Sequence, residues 1–194
     1  MTLIDVKTRC DWAGSDPLYQ KYHDNEWGVP VYDDEKLFEF LLLETFQAGL
    51  SWITILRKRE NFRLAFDQFD HHKIAGYDTQ KEMELIQNQG IIRNKLKIKA
   101  AISNAQAFLK IQEEFKSFSS FYWAYVDGKP IQNRFKDIKE VPANTALSDK
   151  ISKDMKNRGF KFVGSTVIYA HMQACGMVND HLTTCFKHTT TKHN

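Results

Sequence analysis

The spacing of apolar positions along the chain predicts a succession of helices. Between 35 and 48, Leu37, Phe38, Phe40, Leu41, Leu42, Leu43 and Phe46 fall on nearly every side of a helical wheel, the pattern of a helix buried all round. Asp33 or Asp34 can cap its start and Gly49 fits its stop. Ser51 can cap the next helix, WITILRKRENFRLAF. Its face Ile55, Leu56, Arg59, Phe62, Phe66 is half apolar, with Arg57, Lys58, Arg59 and Arg63 on the wetter side. KEMELIQNQ reads as a short helix stopped by Gly90, and a longer one runs from Asn94–Lys95 to about Glu114. Phe118–Val126 is short and rich in aromatics, and 127–146 is the longest irregular stretch. Ser148–Arg158, stopped by Gly159, and Thr166–Val178 complete the set. No strand-like alternation stands out and no repeat or linker divides the chain. The expectation is therefore a single all-α unit over 1–194.

Composition narrows this picture only a little. A hydrophobic fraction of 42% with 13% aromatics in 194 residues supports one good core rather than disorder. A net charge of +3 permits a polyanionic partner without demanding one. The start, MTLIDVKTRCDW, lacks the apolar run of a signal peptide, and LFEFLLLE is far too short to span a bilayer. The chain reads as soluble and cytoplasmic with no membrane partner. No apolar helix face is left unexplained, so a monomer is expected. Cys10, Cys175 and Cys185 are odd in number and lack framework spacing, which argues for burial or metal ligation over disulfides.

Three places carry chemistry. The stretch YHDNEWG at 22–28 packs more reactive side chains together than a turn requires. His181 and Cys185 in HLTTC stand four apart, which on a helical turn puts both on one face; Cys10 and His23 are candidates for a second pair. Two thiolates and two imidazoles suit tetrahedral zinc, and a closed set of four is structural rather than catalytic. The same spacing also fits a buried cysteine beside a hydrogen-bonded histidine, and His188 and His193 are competing imidazoles. Glu44 lies on the helix with no wet face, between Phe40 and Leu41 on one side and Ala48 on the other. A buried carboxylate must be protonated, paired or awaiting a ligand. Arg57 or Arg59 could pair it; alternatively it forms a pocket floor with Trp52 as a stacking wall. Finally, LIQNQGIIRNKLKIKAAI, within about 81–110, is either an ordinary αα-corner or a helix-hairpin-helix offering backbone N–H groups and Lys95, Lys97 and Lys99 to phosphate.

Taken in order, CDWAGSDPLYQKYHDNEWGVP, LLLETFQAGLSWITILRKRENF, GIIRNKLKIKAAISNAQA and RGFKFVGSTVIYAHMQACGMVNDH closely resemble the bacterial DNA-3-methyladenine glycosylase I family from Cys10 to about Cys185. QAGLSW, RGFKFVG and QACGMVNDH are its most specific segments. The resemblance implies an all-helical helix-hairpin-helix glycosylase fold. It implies a zinc region joining about 8–25 to 178–188, with one structural Zn2+ on Cys10, His23, His181 and Cys185. It implies base recognition by Glu44 and Tyr22, stacking on Trp52, and Trp12 as a further pocket aromatic, with Glu44 as the residue on which catalysis turns. The Gly49–Leu50 tip would enter the duplex, and Gly90, Ile91 and Lys95 would meet a phosphate.

The activity so implied is hydrolysis of the N-glycosidic bond of 3-methyladenine in double-stranded DNA carrying alkylated bases. Free 3-methyladenine is released and an abasic site remains, without lyase chemistry. Within YHDNEWG, Tyr22 then faces the base and His23 the metal. Asp24, Asn25 and Glu26 serve caps and turns, one of them orienting the imidazole, and Trp27 is core. Two other readings keep the same residues: a non-catalytic zinc-stabilised DNA-binding module using the hairpin and helix 52–66, and a zinc hydrolase with an open metal position.

Overall fold

In the computed structural model, which describes residues 7–47 and 49–188, the helical expectation holds and the boundaries shift where caps and glycines dictate. His193 and Ala48 lie outside the described residues. Helix α1 spans Pro17–Asn25, α2 Asp34–Gln47, α3 Trp52–Ala65, α4 His71–Ala75, α5 Thr79–Gln87, α6 Lys95–Phe115, α7 Phe118–Trp123, α8 Ala146–Asn157 and α9 Ser165–Ala174. Of the two possible caps for α2, Asp33 accepts from the Lys36 N–H at 2.8 Å. Asp34 instead receives the N–H groups of Phe118 and Ser119 at the start of α7. Ser51 turns its hydroxyl to Thr54 rather than to the backbone. At α8 the cap is Thr145, in a reciprocal pair with Ser148.

Helix α2 is the axis of the molecule. Every residue from Leu37 to Phe46 is buried, with α3, α6, α7 and α9 packed around it. Phe46, Phe62 and Phe66 pack together at one end and Phe38, Phe108 and Phe118 at the other, mostly edge to face. Each such ring contributes roughly 2–3 kcal/mol on leaving water.

Four sequence expectations are corrected. The helix begun at Thr166 does not reach Val178. It ends at Ala174, and the chain turns into a two-residue strand β2, Val178–Asn179, which pairs in parallel with β1, Ile131–Gln132. The supposedly irregular stretch therefore supplies a strand. His181–Cys185 is a turn, not a helix. The aromatic helix stops at Trp123 and tightens to a 3-10 turn over Ala124–Val126.

Gly176 explains the break after α9. Its φ is +68°, and a Cβ there would sit 2.3 Å from the Val29 carbonyl carbon and 2.4 Å from the Pro30 nitrogen. The segment after α9 thus presses on the loop after YHDNEWG, where the Val31 N–H donates to the Cys175 carbonyl at 3.0 Å. Gly176→Ala is expected to cost about 3 kcal/mol or more, since strain at positive φ adds to a backbone collision. Gly128→Ala, at a similar φ with open space around it, should cost only about 1 kcal/mol. Urea unfolding of both variants checks this, and equal losses would show that the contact with Val29 is unimportant.

Candidate functional site

Two buried carboxylates on α2 have opposite surroundings. Glu39 is met by Lys36, Arg59 and Arg63 at 2.5–3.0 Å. Desolvation pushes its pKa up, but the charges of Arg59 and Lys36 outweigh that and hold it below the ordinary value. Glu44, five residues on, is 4% exposed, and burial alone raises its pKa to about 8. Neither arginine proposed for it is available. Arg59 binds Glu26 and Glu39, and Arg57 binds Asp16.

Glu44 instead forms part of a cavity of about 390 Å3 whose aromatic lining is Trp12, Tyr19, Tyr22, Trp27, Trp52 and Tyr169. Among the described residues, three buried side-chain polar atoms lack a hydrogen-bond partner, and two of them line this cavity: Glu44 Oε2 and Trp52 Nε1. One is an acceptor and the other an N–H donor, and unmatched buried groups are costly unless a ligand completes them. The Tyr22 ring lies 5.5 Å from Trp52 and 6.4 Å from Trp12, and Trp12 packs against Tyr19 and Trp27, each at 4.9 Å. Burial, with Glu44 as a lesser cause, holds the Tyr22 phenol well above its ordinary pKa.

The cavity also has walls that the sequence reading did not assign. Ile138, Val141 and Ala143 come from the segment after β1, and Thr166, Tyr169 and Gln173 from α9. Asp180 lies at its edge, accepting from the Tyr169 hydroxyl at 2.6 Å, Gln173 at 2.8 Å and Asn133 at 2.6 Å. Its signal was present in QACGMVNDH, next to His181. Trp27, expected in the core, is half-buried on the cavity wall.

Behind Trp12 and Trp27, Cys10, His23, His181 and Cys185 converge, all buried, with their ligand atoms within 4.8 Å of one another. Cys185 Sγ is 3.4 Å from His23 Nε2 and 3.5 Å from His181 Nδ1; Cys10 Sγ is 3.7 Å from His181 Nδ1. The outward nitrogens are engaged elsewhere. His23 Nδ1–H donates to Asp24 at 2.9 Å, and His181 Nε2–H donates to the Trp27 carbonyl at 3.1 Å. That pattern fixes the tautomers that turn lone pairs inward. Arg9 clamps Asp24 with two bonds, so Asp24 is the orienting residue in YHDNEWG. Glu26 serves the Arg59 network, and Asn25 bonds the Lys21 carbonyl. Leu182 and Lys187 N–H groups donate to the two sulfurs. A hydrogen bond from Cys10 is the largest cause holding the Cys185 thiol far below its usual pKa, and it raises Cys10 in turn. His188 turns away, to the Asn133 carbonyl.

Helices α5 and α6 pack on each other across residues 88–94. The Gly90 and Ile91 N–H groups are taken by Asn88, the Ile91 side chain is core, and Lys58 reaches the Gly90 carbonyl. Lys95 and Lys99 are exposed. Lys97 is not; its Nζ donates to the Phe46 carbonyl at 2.9 Å. That removes Lys97 from the expected phosphate-facing set. Gly49 (φ +82°) and Leu50 form an exposed tip between α2 and α3.

Residues 12–188 match the family model described as methyladenine glycosylase. The chain is 50% identical over 177 residues to DNA-3-methyladenine glycosylase 1 of Escherichia coli, covering 91% of this chain and 95% of that one. It is similar, at 36% identity and a TM-score of 0.91 over 96% of this chain and 99% of the other, to a tyrosine-to-phenylalanine variant of 3-methyladenine DNA glycosylase I solved with 3-methyladenine. A glutamate-to-glutamine variant of the Staphylococcus aureus enzyme is equally similar, with 36% identity and a TM-score of 0.90 over 96% of this chain and 99% of that one. The cavity, the cluster and these likenesses run through one continuous chain, which belongs to the methyladenine glycosylase family.

Proposed function

We infer that this protein excises 3-methyladenine from alkylated DNA by hydrolysing its N-glycosidic bond. The observation that carries the inference is Glu44, buried without a partner on the floor of an aromatic cavity. In the two solved variants, the substituted tyrosine and glutamate are separated by the same interval as Tyr22 and Glu44, which supports giving this pair the base. Extruding a nucleotide costs a few kcal/mol, less for a damaged base. The Gly49–Leu50 tip takes the vacated space in the duplex, and Lys95, exposed just after the turn over 88–94, reaches the phosphate backbone, whereas the Gly90 and Ile91 N–H groups are held by Asn88.

Methylation at N3 gives the attached purine a formal positive charge. In the cavity that charge meets aromatic faces and a carboxyl that releases its proton to become the counter-ion. When the C1′–N9 bond breaks, its electron pair goes to N9 and neutralises the base; water adds at C1′ and loses a proton, leaving an abasic site. Among the described residues no lysine lines the cavity, which supports hydrolysis without Schiff-base chemistry.

The donor set of the Cys/His cluster fits one zinc ion held by Cys10, His23, His181 and Cys185. A metal there neutralises the two thiolates and ties the segment at Cys10 to that at Cys185. Its part is structural, since both imidazoles and both sulfurs face one another and none lines the cavity.

Glu44→Gln should lower excision about 10- to 100-fold, the value of a hydrogen bond to a charged group, while zinc content stays at one per chain. Chromatography of bases released from methylated DNA and elemental analysis check both, and full activity would remove Glu44 from the mechanism. The same variant has a sign-specific effect on stability. The folded pKa of about 8 lies above the ordinary 4.5, so the folded state holds the proton longer. Stability is full below about pH 4.5 and falls as pH rises through about 8. Glu44→Gln should therefore match the wild type near pH 4 and exceed it by up to about 5 kcal/mol near pH 9; parallel melting curves across that range would contradict a raised pKa. Cys185→Ser should abolish stoichiometric zinc and lower Tm by several degrees, and an unchanged Tm after metal loss would rule out a structural role.

A further inference from the structure

One wall of the cavity has its hydrogen-bond direction fixed before any ligand arrives. Tyr169 and Gln173 stand four apart on α9, on one helical face, and both line the cavity with Asp180 beside them. The Asp180 carboxylate accepts from the Tyr169 hydroxyl at 2.6 Å and from the Gln173 amide at 2.8 Å, both on one oxygen. It is held in that pose from the other side as well. Asn133 donates to its second oxygen at 2.6 Å, and the pairing of β1 with β2 fixes Asn179 immediately before it. Tyr169 and Asp180 are each only 2% exposed, so the arrangement is shielded from water.

A phenol has one proton to give and two lone pairs. With its proton committed to Asp180, Tyr169 can only accept from anything else it meets. Burial, and after it the bond to Asp180, holds the phenol far above its ordinary pKa, so the proton stays in place at any working pH. A structural staple between α9 and the turn at His181 does not by itself need a carboxylate there. Asparagine has the same shape, but its amide could donate to the phenol and reverse the direction, whereas a carboxylate only accepts. The residue type at 180 therefore sets a polarity as well as a contact. Across the cavity, Glu44 Oε2 is a second unmatched acceptor. Two acceptors facing one enclosed space suit a base edge that carries N–H groups.

We propose that Tyr169 reads an N–H group on the edge of the extruded base, with Asp180 as the residue that positions its proton, so that the cavity selects a methylated purine bearing an amino group at position 6 over one bearing a carbonyl. A carbonyl there would set acceptor against acceptor and leave both unmatched in an enclosed site, the arrangement that polar pockets reject most strongly. The proposal rests on the excision reading and extends it from the charge of the lesion to the identity of the base. Tryptophan quenching by free 3-methyladenine and by 3-methylhypoxanthine, which differ at position 6, tests it. The wild type should bind 3-methyladenine about tenfold more tightly. Tyr169→Phe keeps the ring and should cut that preference about fivefold. Asp180→Asn should cut it similarly in the presence of Tyr169 and add nothing in the Tyr169→Phe background, while a merely structural role would lower affinity for both bases alike in either background. Zinc content, measured in parallel, should stay at one per chain, and if Asp180→Asn loses the metal or fails to fold, the Tyr169→Phe comparison decides alone. An unchanged preference in Tyr169→Phe would overturn the assignment. Wild-type protein that shows the preference yet releases no base from methylated DNA would instead overturn the excision reading and leave the role of Tyr169 in place.

Discussion

The arrangement depends on leaving one carboxyl in the core with nothing to balance it. Helix α2 could have supplied a partner, since Glu39 gathers three cations only five residues earlier. At Glu44 the neighbouring arginines are diverted to Glu26, Glu39 and Asp16. Breaking a buried ion pair leaves a costly orphan, and here the fold contains the orphan from the outset. The apolar burial along the rest of α2 sustains it, and a ligand is the remaining means of satisfying it. Trp52 Nε1 makes the same case from the donor side.

A cavity with unmet polar groups keeps its shape only if its walls cannot close in. Tyr22 is followed at once by His23, so α1 cannot move at the cavity without disturbing the Cys/His cluster. Trp12 follows Cys10 by two residues, and the Trp27 carbonyl is bound to His181. Three of the cavity's aromatic walls are thus fastened, by sequence adjacency or by hydrogen bond, to cluster residues. Glu26 adds a fourth restraint by locking the end of α1 to α3 through Arg59. The density of reactive side chains in YHDNEWG follows from this, because one short helix end serves the cavity, the cluster and the ion network together.

The long helices were legible because their apolar period and their stops are local properties. The buried α2, the half-wet α3 and the long α6 each announce themselves within their own residues. Helix α1 was missed because only Tyr22 and His23 of its nine residues are buried, too few to set a period, and α4 is five residues long. The end of α9 was overestimated because the reason for stopping lies elsewhere, in the approach of Val29 to Gly176. Among site residues, Glu44 stood out as a charge where none belonged. Asp180 and Tyr169 did not, since a polar pair that satisfies itself across eleven residues leaves no mark on the pattern. Lys97 was misread for a similar reason: its helical position is ordinary, and the carbonyl it binds belongs to another helix.

On the proposed assignment of Glu44 to the base, its raised pKa also accounts for selectivity. With a value of about 8, ionising the carboxyl at pH 7 costs about 1.4 kcal/mol, so the empty cavity is close to neutral and attracts passing cations only weakly. A neutral adenine offers no charge to recover that cost and leaves the proton where it is. A base carrying a positive charge meets the new carboxylate in a site with little water to screen them, where their attraction exceeds the cost of ionisation. Recognition and bond weakening then have one origin, because the charge that draws the lesion into the cavity is the charge that makes its purine a good leaving group. The separation from undamaged DNA needs no contact to the methyl group itself, only a carboxyl poised so that a unit of charge decides whether it ionises.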